Sequence, residues 1–194
     1  MQPTQMEIKP SPPMAVGRQL RRMWMVFTLR DIPKYEALRA RVRRYPEIDP
    51  IAVETFLVLL RVASDVMTGA EDYWTKHGLS HGRFIVLAVL NRDPSIALSP
   101  SDLADKCGVS RATMTGLVAG LQRHHYVRRE HHHDDRRMAL VRLTPEGVRF
   151  LDAILPDYYR RLARMMGYLD QAEKRKLEEM LVKIGQGLPE MTGE

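Results

Sequence analysis

Apolar positions recur every three or four residues along most of the chain, and only one short stretch alternates in twos. Val53, Phe56, Leu57, Leu60, Ala63 and Met67 form the longest such series, which predicts a helix with one buried face. Asp49-Pro50 marks its start, because aspartate suits the N-cap and proline the first turn, where a backbone N–H has no partner to lose. The pattern runs to about Lys76, and Gly78 stops it. Ser80 then caps a helix whose Phe84, Leu87, Ala88 and Leu90 belong to a core, ended by Asn91-Arg92-Asp93-Pro94. Ser99-Pro100 repeats the cap-plus-proline signal. It opens a short helix with Leu103, Ala104 and Cys107 inward and Gly108 at its end. Ser110 caps the next, RATMTGLVAGLQRHH, and the Gly-Val-Ser turn between the two gives a helix-turn-helix pattern. Stretches 126–130 and 138–144 read as strands, with Ala139, Val141 and Leu143 on one face of the second and Leu140 and Arg142 on the other. Thr144-Pro145 caps a further long helix expected to bend near Pro156, and Asp170 with Glu173 forms a capping box for the last one, ending around Gly185.

The N-terminal part is less regular. Residues 1–13 hold Pro3, Pro10, Pro12 and Pro13 and little to bury, which predicts a disordered arm. A helical stripe follows over 19–29 through Leu20, Met23, Trp24 and Phe27, then a break at Asp31-Ile32-Pro33 and a short basic helix over 37–42. The expected fold is mainly α with a small β-hairpin wing, one compact domain overall. Its parts are the arm (1–13), an N-terminal helical extension (14–48), dimerisation helices (49–78 and 145–187) and a winged helix-turn-helix region (79–147).

Composition narrows the function. With 194 residues and 44% of them hydrophobic, the chain can bury a real core, and no apolar run approaches the roughly 20 residues of a membrane span. The first residues lack the apolar stretch of a signal peptide, and the single cysteine, Cys107, excludes an internal disulfide framework, so a reducing cytoplasm is expected. The net charge of +6 makes a polyanion plausible as a partner, since phosphate contacts add by counterion release. The arginines gather in 18–44 and 123–142. Arg18, Arg21 and Arg22 either extend that basic footprint or solvate their helix.

On the third helix Met114, Leu117, Val118 and Leu121 point one way, while Ala112, Gly116 and Ala119, then Arg123, occupy the opposite side. Small residues on an exposed face suit close approach to another surface, such as the floor of a major groove; the plainer alternative is packing on another helix. Arg111, Thr113 and Thr115 flank that face near the N-terminus, where a recognition helix meets base edges. Arg111 suits guanine O6 and N7, and the threonines suit phosphate oxygens or a thymine methyl.

LADKCGVSRATMTGLVAGLQRHHYVRRE followed by DRRMALVRLTPEG resembles the winged helix-turn-helix of the MarR family of bacterial transcription regulators, over about residues 79–147. The resemblance implies a homodimer on a pseudo-palindromic operator in double-stranded DNA, with each wing in a minor groove. It implies that Asp135 holds the wing while Arg137, or its neighbour Arg136, enters the groove. An arginine at a hairpin tip suits the negative potential of a narrow A·T-rich groove, and a nearby carboxylate can steady its guanidinium. Ser110 would cap the recognition helix and is also placed for a phosphate contact. Dimerisation would bury the apolar stripes of the outer helices and set the two recognition helices about one DNA turn apart.

Other chemistries compete. His131, His132 and His133 adjoin Asp134 and Asp135, but consecutive residues on a hairpin point in different directions, so one ion rarely gathers all three. No metal or other cofactor is expected. A polar wing tip that gains charge as pH falls below about 6.5 is the simpler reading. Cys107 reads as a structural thiol rather than a peroxide sensor. Members of the resembled family often bind phenolic or other aromatic acids between the dimerisation helices and the winged region. Tyr73, Trp74, His77, His81, Arg83 and Phe84 cluster at that junction and suit an aromatic carboxylate, or are packing and surface residues of the junction. The urate-sensing subgroup has an acidic residue where Ile85 follows Phe84, which argues against urate. The expected function is a ligand-responsive regulator, more a repressor than an activator. The alternatives are a non-specific architectural DNA binder, a metal- or redox-sensing regulator, and an enzyme of metal-assisted hydrolysis, which no further ligand segment supports.

Overall fold

The computed structural model describes residues 33–131 and 139–193. The expected arm, the 19–29 helix, Arg18, Arg21, Arg22, His132, His133, Asp135, Arg136 and Arg137 lie outside the described residues. The chain forms two compact units, the first ending at Thr144 and the second starting at Pro145.

In the first unit α1 (Tyr35–Arg39), α2 (Pro50–Lys76), α3 (His81–Leu90), α4 (Pro100–Cys107) and α5 (Arg111–Arg123) precede β1 (Val127–His131) and β2 (Ala139–Leu143). The basic segment after Pro33 forms α1 and then turns, with Arg41 and Val42 donating to Leu38 and Arg39, so its helix is earlier and shorter than the pattern over 37–42 suggests. Asp49 caps α2 by accepting from the backbone N–H groups of Ile51 (2.9 Å) and Ala52 (3.2 Å).

The apolar face of α2 is covered less than its periodicity implies. Only Ser64 and Trp74 are buried, Val53, Leu57, Leu60 and Met67 are half-buried, and Phe56 and Ala63 are exposed. Among the described residues α2 packs chiefly against α1 and α3, and Ile51, Val58, Val62 and Val66 are open as well. The core lies nearer the helix-turn-helix: Trp74, Val86, Leu87, Leu90, Leu103, Met114, Val118, Leu121 and Val141 are fully buried.

β1 and β2 are antiparallel, with Val127 opposite Leu143 and Arg129 opposite Val141. Val141 and Leu143 are buried and Ala139 half-buried, as the alternation predicts. Leu98 adds an isolated bridge to Val141, which the sequence did not announce.

The second unit holds α6 (Pro145–Met166), α7 (Gln171–Gln186) and α8 (Leu188–Thr192). α6 is continuous across Pro156, which removes one backbone donor without ending it. At α7, Asp170 accepts from Ala172 and Glu173 N–H while the Glu173 carboxylate accepts from Asp170 N–H, completing the capping box. Tyr159, Leu162, Met165, Tyr168, Met180, Leu181 and Ile184 are exposed on this unit.

Candidate nucleic-acid interface

Serine caps fix both helices of the helix-turn-helix. Ser99 Oγ accepts from Asp102 N–H at 3.1 Å, and Ser110 Oγ accepts from Thr113 N–H at 3.2 Å. Between them Gly108 takes the left-handed conformation (φ 63°), which a side chain would strain, and Val109 N–H closes on Ala104.

The inner face of α5 buries Met114, Val118 and Leu121, and Arg111, Ala112, Thr115, Gly116 and Arg123 are exposed. Apart from its chain neighbours and the helix's own backbone, no atom of the described residues lies within 4 Å of where a Cβ on Gly116 would stand, so this stretch of the helix is open. An open groove beside it is lined by Ser99, Pro100, Ser101, Arg111, Thr115 and Ala139. The hydroxyls are more committed than residue type suggests. Ser110 and Thr113 hydroxyls lie 2.8 Å apart, and Thr115 donates to the Arg111 carbonyl at 3.0 Å. A hydroxyl that already donates can only accept, so Thr115 offers a base edge its methyl and lone pairs more readily than it offers a phosphate a proton.

At the hairpin, Arg128 and Arg129 are exposed, and Arg142 forks onto Glu130. That hydrogen bond holds the Glu130 carboxyl below its ordinary range and raises the Arg142 guanidinium above its own. Among the described residues no group of three or more histidines, cysteines or carboxylates is placed to hold a metal. Cys107 is half-buried rather than fully buried; burial pushes its thiol up, with the Arg92 charge acting the other way, so the reactive thiolate is disfavoured.

The six junction residues do not act as one wall. Trp74 is fully buried and stacks on Phe84 with centroids 3.7 Å apart and planes 13° from parallel, leaving no room between the rings. Tyr73 meets Trp74 edge-on at 5.0 Å and His77 at 4.7 Å, while His81 N–H is taken by Glu71 at 2.8 Å. Arg83 turns to α5, where its guanidinium occupies the space a Cβ on Gly120 would need. Sequence reasoning missed this seat, the Leu98 bridge and the Arg142–Glu130 pair, because each joins segments far apart in the chain.

A capped helix-turn-helix with an open, arginine-flanked second helix and a basic hairpin behind it defines a winged-helix DNA-binding protein. A sequence profile of the MarR family matches residues 77–138. The HTH-type transcriptional repressor YetL of Bacillus subtilis (strain 168) is 34% identical over 153 residues, which cover 79% of this chain and 92% of that protein. The transcriptional repressor MprA of Escherichia coli (strain K12) is 23% identical, with 82% of this chain and 90% of MprA covered. Among solved structures, AbsC, a MarR family transcriptional regulator from Streptomyces coelicolor, superposes with a TM-score of 0.64 at 21% identity over 72% of this chain and 93% of that one. The chain belongs to the MarR family of DNA-binding transcriptional regulators, which are not enzymes. Among the described residues no helix is long and apolar enough to cross a membrane.

Proposed function

We propose that the chain acts as a homodimeric repressor, reading a pseudo-palindromic operator with α5 and relieved by a small aromatic acid. The observation that carries this reading is the open face of α5: Arg111 beside Ala112, Thr115 and Gly116, on a helix whose first turn is already capped. A rigid helix end that presents small residues and one guanidinium can approach base edges closely and pair with guanine. Arg123, Ser110 and Thr113 frame that surface, and Asp135, Arg136 and Arg137 complete it at the wing as the family pattern has them. YetL and MprA are both named repressors, which supports that sign of regulation. For the effector, Tyr73, His77 and His81 are the junction residues outside the fully stacked pair and the Gly120 seat, so they are the proposed ligand contacts.

Fluorescence anisotropy against a palindrome from the protein's own promoter and against random duplex tests the reading. Arg111→Ala and Arg137→Ala are each expected to weaken operator binding about ten-fold or more, in line with roughly 1–3 kcal/mol per base or groove contact, with an unchanged melting temperature. Equal affinity for palindrome and random DNA would replace it with an architectural role.

A further inference from the structure

Arg142 joins three segments that sequence keeps apart. From β2 its Nε donates to both Glu130 carboxylate oxygens, at 2.9 and 3.1 Å, and Nη2 donates to Oε1 at 2.7 Å. Its Nη1 donates to the carbonyl of Ser95, in the turn after α3. Ser95 is itself held, with both its N–H and its hydroxyl donating to Asp93 Oδ1. A second guanidinium, Arg128, lies 3.6 Å from Glu130. Close by, Leu98 and Val141 exchange backbone hydrogen bonds of 3.0 and 2.8 Å. The hairpin is therefore tied to the segment that enters α4, and α4 leads directly into the recognition helix.

An isolated surface ion pair contributes little, but here a planar fork engages a carboxylate with two nitrogens and a fixed carbonyl with the third. Lysine cannot reproduce that geometry. We infer that Glu130 and Arg142 are a positioning pair that sets the wing against the recognition helix and so tunes operator affinity without touching DNA. This rests on the reading of the hairpin as a DNA-contacting wing.

The competing account treats Glu130 as nothing more than a negative charge near a polyanion, and the two accounts differ in sign. Removing that charge in Glu130→Gln should strengthen DNA binding if charge alone matters, because one repulsive group is lost. It should weaken operator binding if the fork positions the wing. Arg142→Lys keeps the charge and loses the fork, so charge alone predicts no change.

The test uses the full chain and the two duplexes, at a temperature where circular dichroism shows every variant folded. We expect Glu130→Gln and Arg142→Lys each to weaken operator binding about five-fold or more while random-duplex affinity holds or rises. Tighter operator binding by Glu130→Gln, or unchanged binding by both variants with only a lower melting temperature, overturns the inference. In those cases a loss in Arg111→Ala and Arg137→Ala leaves the DNA-reading surface standing. If those two arginine variants also bind the operator normally, the underlying reading fails and the inference with it.

Discussion

His125 is the only non-glycine among the described residues with a positive φ, 59°. It lies between the end of α5 at Arg123 and the start of β1 at Val127, where the chain must reverse in three residues. Its carbonyl accepts from the Thr144 hydroxyl at 2.7 Å, so the turn is held from the far side of the hairpin. A side chain in this region costs about 1–2 kcal/mol, part of which glycine would give back in unfolded-state entropy. His125→Gly should therefore raise stability by about 0.5–1 kcal/mol, read as a higher urea midpoint; a lower midpoint would mean that the imidazole contributes more than its backbone costs. The comparison with Gly108 shows what residue type reveals. A glycine after an apolar helix announces a left-handed cap, whereas a histidine in the same conformation announces nothing. Ser99 and Ser110 were readable for the opposite reason, since each stands three residues ahead of the N–H it satisfies.

At the scale of elements, α5 carries two glycines, four residues apart; the helical period places Gly116 on the side away from the apolar stripe and leaves Gly120 unassigned. Gly116 faces open space, and Gly120 lies under the Arg83 guanidinium. The seat of Gly120 comes from the packing of α3 across α5, which no periodicity along α5 contains. Gly116→Glu should leave the fold intact or stabilise it by up to about 1 kcal/mol, because glutamate is the better helix former. The same change places a carboxylate at the proposed groove, so operator affinity should fall at least ten-fold by anisotropy. Retained affinity would move the DNA surface away from this face. The long series on α2 shows the converse limit. Its spacing predicted a helix correctly, but among the described residues nothing covers Phe56 or Ala63.

For the whole molecule, the exposed apolar residues Ile51, Val58, Val62 and Val66 in the first unit, and Tyr159, Leu162, Met165 and Tyr168 in the second, are numerous for a monomer. Two-fold assembly is the ordinary way to cover such surfaces. Sedimentation equilibrium at micromolar concentration should give twice the 22.4 kDa chain mass. A stable monomer that still favours the palindrome over random DNA would remove the dimer from the proposed function. The order of helices and strands was legible along the sequence, because capping and periodicity are local.

The bridge from Leu98 to Val141 has a consequence for the order in which the molecule can be built. α4, α5 and β1 all lie between its two ends, so closing it fixes one long loop at an entropic cost on the order of 3 kcal/mol. During synthesis α5 leaves the ribosome before the strand that closes the loop. Until Val141 follows, Leu98 lacks both of its backbone partners from β2. The half that holds the helix-turn-helix is thus completed late, by a strand outside it, and a chain cut short before β2 would carry α4 and α5 without the bridge that Leu98 makes to Val141.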